Sequence, residues 1–559
     1  MAEVKYDRVI AGGLVVDGSG SAPIYADVGI VGDKIAEIGQ GLKGHDTLHA
    51  EGLIVAPGFI DVHTHYDPQV LWDRELTPSS WHGVTSVIAG NCGFSIAPVK
   101  EGGRDLLIGT FEKVEDIDSQ AMEQGITWDF ETYGEYLAAL EQAGLAINFG
   151  GYVGHTAVRA YVMGDASYER EATPRELDAM KAVVERSLRE GALGFSTDRA
   201  GFILGHRGKP VPSVVASQEE TEALLAIPVE VGRGISHIAP GEDYAWLLDF
   251  VRRTGATVNW SAILAYPAGS GRADYRDKLQ VLRQAYEEGL PLIGQVTCRP
   301  IIQLISLATP YSFSQIEAFS TILAAPPEDR AAIYADPQWR ADLHRCLEKI
   351  DLPPRWELMH VAETPRQPNL IGSSIADLSS ERGADPFDVM IDIALADNLQ
   401  TRFSVTFAND CDHDVTELLR GVNCIIGLSD AGAHAAQICD SVLTTDFLSR
   451  WIRDRAIMPL EHAIRKITGE LADVMRLDRG YLRPGSPADI TVFDLDRLDV
   501  GPISRVHDLP AGAERLIADR PTGIEHVLVN GVPIRRDGVI QRDAVQAGPG
   551  QLLKSTSGE

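Results

Sequence analysis

The sequence predicts an α/β protein, a (β/α)8 TIM-like barrel carrying a small β-sandwich domain built from both chain ends. Three observations lead there. Eight short apolar runs alternate with longer helix-like segments through the middle of the chain. Both ends are written as short strands and turns. A length of 559 residues exceeds what one hydrophobic core usually organises.

From Asp7 to Ile54, apolar residues alternate with Gly and Asp turns, as in Val9-Ile10-Ala11-Gly12-Gly13-Leu14-Val15-Val16-Asp17-Gly18. This is the pattern of strands joined by hairpins. The segments 488–494 and 524–534 repeat it near the other end. Residues 1–56 with 478–545 are therefore expected to form a composite β domain, and 57–477 the barrel. The eight runs are Gly58 to His63, Val84 to Ala89, Ile147 to Val153, Leu193 to Ser196, Ile235 to His237, Thr257 to Trp260, Leu292 to Val296 and Ile425 to Leu428. The interval between the last two is much the longest, which predicts a mostly helical insertion near 305–365. The tail, 546–559, is rich in Gly, Ser and Lys and is expected to be flexible.

Composition narrows the function classes. A formal net charge of −30 opposes nucleic-acid binding, which needs basic residues to neutralise phosphates. With 44% apolar and 23% charged residues the chain reads as soluble, and no apolar stretch is long enough to cross a membrane. Met1 to Arg8 alternates charges where a signal peptide needs an apolar run, so a cytoplasmic location is expected. Six cysteines, Cys92, Cys298, Cys346, Cys411, Cys424 and Cys439, form no CxxC pair, which suits a reducing compartment. Neither a Walker-type loop nor a dinucleotide fingerprint follows the first strand.

The strongest chemical signal is Pro57-Gly58-Phe59-Ile60-Asp61-Val62-His63-Thr64-His65. Side chains two apart on an extended strand face the same side, so both imidazoles converge on one point, an arrangement suited to a metal that takes nitrogen ligands. Cys92 follows the second run between glycines, where a thiolate would be stabilised by a cation. Asp430 ends the last run, and a carboxylate there can bind a metal and take a proton from its water. Taken alone, each of these residues has an ordinary structural explanation as well.

Together with Gly90-Asn91-Cys92-Gly93-Phe94-Ser95, Val153-Gly154-His155-Thr156-Ala157-Val158-Arg159, Gly191 to Thr197 and Arg483 to Asp489, the strand-end histidines resemble the amidohydrolase superfamily. Within it the chain is similar to the N-acyl-D-amino-acid deacylases, or D-aminoacylases, over roughly Tyr6 to Asp537. The resemblance implies a metal-dependent hydrolase whose ligands are His63, His65, Cys92, His237 and Asp430, with Asp430 also managing the proton. It implies zinc, one or two ions per chain. The sixth run departs from the pattern: Val258-Asn259-Trp260-Ser261 stands where those enzymes carry a histidine followed closely by a lysine. Ser261 is a poor zinc ligand, so the second position is short of donors.

The implied reaction is cleavage of a small-molecule amide, foremost of an N-acyl-D-amino acid or related N-acyl compound. A cyclic amide, imide or lactone hydrolase and a catalytically silent scaffold are the alternatives. Candidate substrate contacts are His155, His206, Arg207, Arg299 and His434. Analogy with other barrels leaves a homo-oligomer open.

Overall fold

Alternating apolar residues at the amino terminus fold as five strands: β1 (Tyr6–Val15), β2 (Ile24–Val31), β3 (Lys34–Gly39), β4 (Gly44–His49) and β5 (Ile54–Pro57). A series of seven strands follows, beginning with β6 (Phe59–Asp61), β7 (Val84–Ala89), β8 (Asn148–Gly154) and β9 (Gly194–Asp198). It continues with β10 (Ile235–Ala239), β11 (Val258–Trp260) and β12 (Leu292–Val296). Next come β13 (Ile301–Ser306), β14 (Met359–Glu363) and β15 (Arg402–Ala408), then β16 (Cys424–Ile426) and β17 (Ile490–Phe493). A hairpin of β18 (Ser504–Val506) and β19 (Arg515–Ile517) precedes β20 (Ile524–Val529), β21 (Val532–Arg536) and β22 (Val539–Ile540). These elements come from a computed structural model that describes residues 5–201, 205–310, 313, 316–347 and 354–555.

The eight expected apolar runs are the eight strands of one sheet, ordered β16-β12-β11-β10-β9-β8-β7-β6. Every neighbouring pair in it is parallel. Its two edges meet: Thr64 forms a parallel bridge with Ala431, and the backbone N–H of His65 donates to the Ala431 carbonyl at 2.7 Å. The result is a (β/α)8 barrel, whose functional residues gather at the carboxyl ends of the strands. The helices follow their sequence signals. Pro174–Glu190 starts at a capping box in which Thr173 and Glu176 satisfy each other's backbone N–H, and it buries Met180, Val184 and Leu188 along one face.

Strands from both chain ends join in one nine-stranded sheet, ordered β22-β21-β20-β17-β5-β1-β2-β3 with β4 beside β1. Antiparallel pairing of β17 with β5 and with β20 ties the ends together. Ile10, Val28, Ile30, Val55, Ile490, Val492 and Leu528 share its apolar core.

The chain divides into two compact units. The first holds the barrel and the nine-stranded sheet. The second comprises Ala265–Asp274 and Pro300–Asp412, which is larger than the expected insertion at 305–365 and not simply helical. It contains an antiparallel sheet ordered β13-β15-β14 and a core of Phe319, Tyr334, Trp339, Phe387 and Phe403. The alternation in Arg402–Ala408 is the strand signal that a helical reading passes over.

The tail is the other difference. Residues 546–559 are expected to be flexible, yet the described part docks beneath the barrel. Phe149 N–H donates to the Gln551 carbonyl at 3.0 Å, and Leu553 N–H donates to the Phe149 carbonyl at 2.7 Å. Leu553, 3% exposed, packs with Ile60, Val62, Ile88 and Tyr152. Burying this side chain offsets the entropy of ordering the strap, a role that an apolar pair of only two residues, Leu552 and Leu553, does not announce in the sequence.

Candidate metal centre

His63 and His65 leave the barrel just past β6 and flank the Thr64–Ala431 bridge, so the closure of the barrel fixes both rings. Their ring centroids are 5.4 Å apart. Asp430, beyond β16, places Oδ1 3.2 Å from Nε2 of each. Ser429 braces the junction, its hydroxyl 2.6 Å from Asp61 Oδ2 and 3.0 Å from the His63 carbonyl.

Cys92 arrives by a constrained turn. Gly90 is left-handed, with φ 75°, and a Cβ there would lie 2.2 Å from the Tyr152 carbonyl oxygen, so only glycine fits. The Asn91 amide donates to the Thr64 and Ile88 carbonyls, and the Asp67 carboxylate accepts the Gly90 N–H at 2.8 Å. The Cys92 sulfur then lies 3.4 Å from His63 Nε2. His237, on β10, accepts the Cys92 N–H at Nδ1 (3.3 Å), and its Nε2 is 2.9 Å from the Ser261 hydroxyl. Two overlapping sets emerge with donor atoms within 4.8 Å of one another: His63, His65 and Asp430, and His63, Cys92 and His237.

Cys92, Asp430 and His434 are all left-handed non-glycine residues, with φ of 53°, 52° and 47°. Such backbone costs on the order of 1–3 kcal/mol per residue and persists where surrounding structure holds it, commonly at functional sites.

The electrostatics suit a cation. Burial works to raise the Asp430 carboxyl, but hydrogen bonds from His63 and His65 outweigh it and hold the acid well below the usual range. The Cys92 thiol is likewise opposed by burial and lowered by the charge of His63. Burial disfavours a charged His63, yet Cys92 and Asp430 raise it to about 10. His65 is raised against the same penalty by Glu115 and Asp430. Burial, followed by the charges of His63 and His65, keeps His237 neutral. Anionic donors around buried imidazoles therefore retain positive charge, either as protons or as a metal ion competing for the same lone pairs. The donor set fits a borderline-soft, nitrogen- and sulfur-tolerant metal such as zinc.

Two surrounding residues carry no motif in the sequence. Gln295, on β12, accepts the Nδ1–H of His63 through Oε1. Glu115, at the end of the helix Arg104–Val114, sets Oε1 3.3 Å from His65 Nδ1, while its carbonyl accepts the His434 N–H. Both are buried.

The expected substrate contacts divide. His434 is half-buried in the loop after Asp430. His155 is wholly buried, with Nδ1 2.8 Å from the Thr197 hydroxyl and Nε2 2.9 Å from Glu220, so neither nitrogen faces a ligand. Arg299 is tied to Asp440 at 2.6 Å and Asp446 at 3.3 Å. His206 packs against Gly109 and lies near the Tyr168 ring. The side chain of Arg207 lies outside the described residues. The sequence misses these commitments because every partner is distant along the chain.

The pattern of the amidohydrolase family matches residues 46–535. D-aminoacylase from Alcaligenes xylosoxydans xylosoxydans is 30% identical over 540 residues, covering 95% of this chain and 94% of that protein. An N-acyl-D-glutamate deacylase from Bordetella bronchiseptica, solved with zinc and a phosphonate mimic of the tetrahedral intermediate, superposes with a TM-score of 0.65 at 26% identity. That match covers 98% of this chain and 100% of the other. A solved D-aminoacylase with a binuclear metal center matches with a TM-score of 0.67 at 25% identity, again over 98% and 100%.

Proposed function

This chain belongs to the amidohydrolase family, and on that premise we propose that it hydrolyses the amide bond of an N-acyl-D-amino acid or related N-acyl compound. One observation carries the reading: the Asp430 carboxylate is shared at equal distance by two strand-end histidines. His63, His65 and Asp430 would hold a zinc ion. When bound, zinc polarises a carbonyl and lowers the pKa of an attached water from about 15.7 toward about 7.

The protein's own groups do the rest. Asp430, kept ionised by its two imidazole neighbours, accepts the proton of the attacking water and passes it to the leaving nitrogen. We assign contact with the substrate to His434, half-buried four residues beyond it on the same loop. His155 and Arg299 instead hold the scaffold, so a substrate carboxylate would find its partner elsewhere. The net charge of −30 supports a small-molecule substrate rather than nucleic acid. No helix among the described residues is long and apolar enough to cross a membrane. All six cysteines are free thiols, which supports a reducing, cytoplasmic setting.

Steady-state turnover of linear N-acyl-D-amino acids by wild type and Asp430→Asn tests the proposal. Loss of kcat by about 10²–10⁴-fold, with an unchanged melting profile, is expected. Near-normal turnover by the variant would remove Asp430 from its role. Hydrolysis of a cyclic imide alone would overturn the substrate class.

A further inference from the structure

The two candidate metal-ligating sets of this centre share His63, and this overlap limits how many ions the centre can retain. As a metal ligand, His63 is a neutral imidazole and donates from one atom only. Its Nδ1 faces the Gln295 side-chain oxygen, an acceptor, so Nδ1 carries the proton and Nε2 presents the lone pair. That lone pair points toward Asp430 Oδ1 at 3.2 Å and the Cys92 sulfur at 3.4 Å. An ion held by His63, His65 and Asp430 consumes it. Three protein donors with a position left open are what a hydrolytic zinc site requires.

The other set then retains at most two donors of its own, Cys92 and, once its ring gives up one of the hydrogen bonds that occupy both nitrogens, His237. His237 is neutral with its proton on Nε2, because Nδ1 accepts the backbone N–H of Cys92 and that N–H can only donate. The Nε2–H is taken up by the Ser261 hydroxyl at 2.9 Å. Ser261 also lies 4.0 Å from the Cys92 sulfur, beside the very atoms a second ion would need. A serine hydroxyl does not replace the imidazole, thiolate or carboxylate ligands from which zinc sites are built. Two donors fall one short of the three on which even an open zinc site rests.

From this donor count we infer that the chain retains a single zinc ion, at His63, His65 and Asp430, and that Ser261 is the residue that keeps the neighbouring position from holding a second. The inference rests on the zinc-hydrolase reading above but goes beyond it, and it sets this chain apart from the solved relative with a binuclear center.

Metal content tests it without recourse to activity. The full-length protein, stripped with a chelator, is reloaded with excess zinc, freed of loose metal by gel filtration and analysed by inductively coupled plasma mass spectrometry. About one zinc per chain is expected. Two per chain would overturn the inference while leaving the hydrolase reading intact, and none would overturn both. Location is read from two variants. Cys92→Ser should keep its one ion and His65→Gln should lose it, and the reverse pattern would place the ion in the other set. Ser261→His adds the missing third donor and should raise retention to about two zinc ions per chain. One ion in that variant, with an unaltered melting profile, would refute the role given to Ser261.

Discussion

Gln295 and His63 stand 232 residues apart in the chain, yet the side-chain oxygen of the first accepts the Nδ1–H of the second inside the barrel. Such an outer partner fixes the tautomer of a metal-binding histidine and the direction of its lone pair. Gln295→Leu should weaken zinc affinity by about 10–100-fold, read by competition with a chromophoric chelator. Gln295→Glu, which keeps an acceptor in place, should lose less. Equal affinity in wild type and the leucine variant would show that His63 needs no such support.

Arg159 and Glu220 form a buried pair beside His155, with Arg159 fully buried and Glu220 2% exposed. Burial, the largest influence, pushes the His155 pKa down, so this ring takes part as a neutral hydrogen-bonding group and not as a cation. Glu220→Gln leaves the guanidinium without its counter-charge and should cost about 3–5 kcal/mol. A chemical denaturation curve with an unshifted midpoint would contradict this.

His82 supplies a pH dependence away from the metal centre. Its ring lies between the Thr445 hydroxyl at 2.8 Å and the Ala518 carbonyl at 3.0 Å. Burial pushes its pKa from 6.5 down to about 4. The folded value lies below the unfolded one, so stability is fully present above pH 6.5 and declines as the pH falls toward 4. The loss amounts to roughly 3 kcal/mol at the acid end, since each tenfold difference in proton affinity between the folded and unfolded chain is worth about 1.4 kcal/mol. His82→Gln should flatten the stability profile across that window, as followed by thermal melts. A profile as steep as that of wild type would assign the acid sensitivity to other groups.

Leu553 seals the floor of the barrel from the far end of the chain. Leu553→Ala should destabilise the protein by about 2–5 kcal/mol, the usual range for a buried leucine, and lower its thermal midpoint. Removal of residues 549–559 should do at least as much. An unchanged midpoint in both would mean that the strap contributes nothing to the barrel.

The sequence by itself determined what local pattern can encode. Period-two alternation marks the strands, and the eight apolar runs coincide with the barrel. The spacing of His63 and His65 puts two imidazoles on one side of a strand, and the glycines around Cys92 announce a tight turn. The resemblance to the D-aminoacylases also implies the departure at Ser261, where those enzymes carry a histidine.

Only the tertiary structure decided which of these residues share an atom's worth of space. Closure of the barrel brings Asp430 to the first strand's histidines, and the packing of β12 and the helix before Glu115 supplies Gln295 and Glu115. These contacts arise between segments with no sequence relation, so no local signal carries them. The same holds for His155 and Arg299. A histidine or arginine in a loop looks available until folding places Glu220 or Asp440 against it, because burying a polar or charged group demands a partner. Leu553 lay hidden for the opposite reason: it belongs to an apolar pair only two residues long, between Gln551 and Lys554, and only the open floor of a finished barrel gives it somewhere to go.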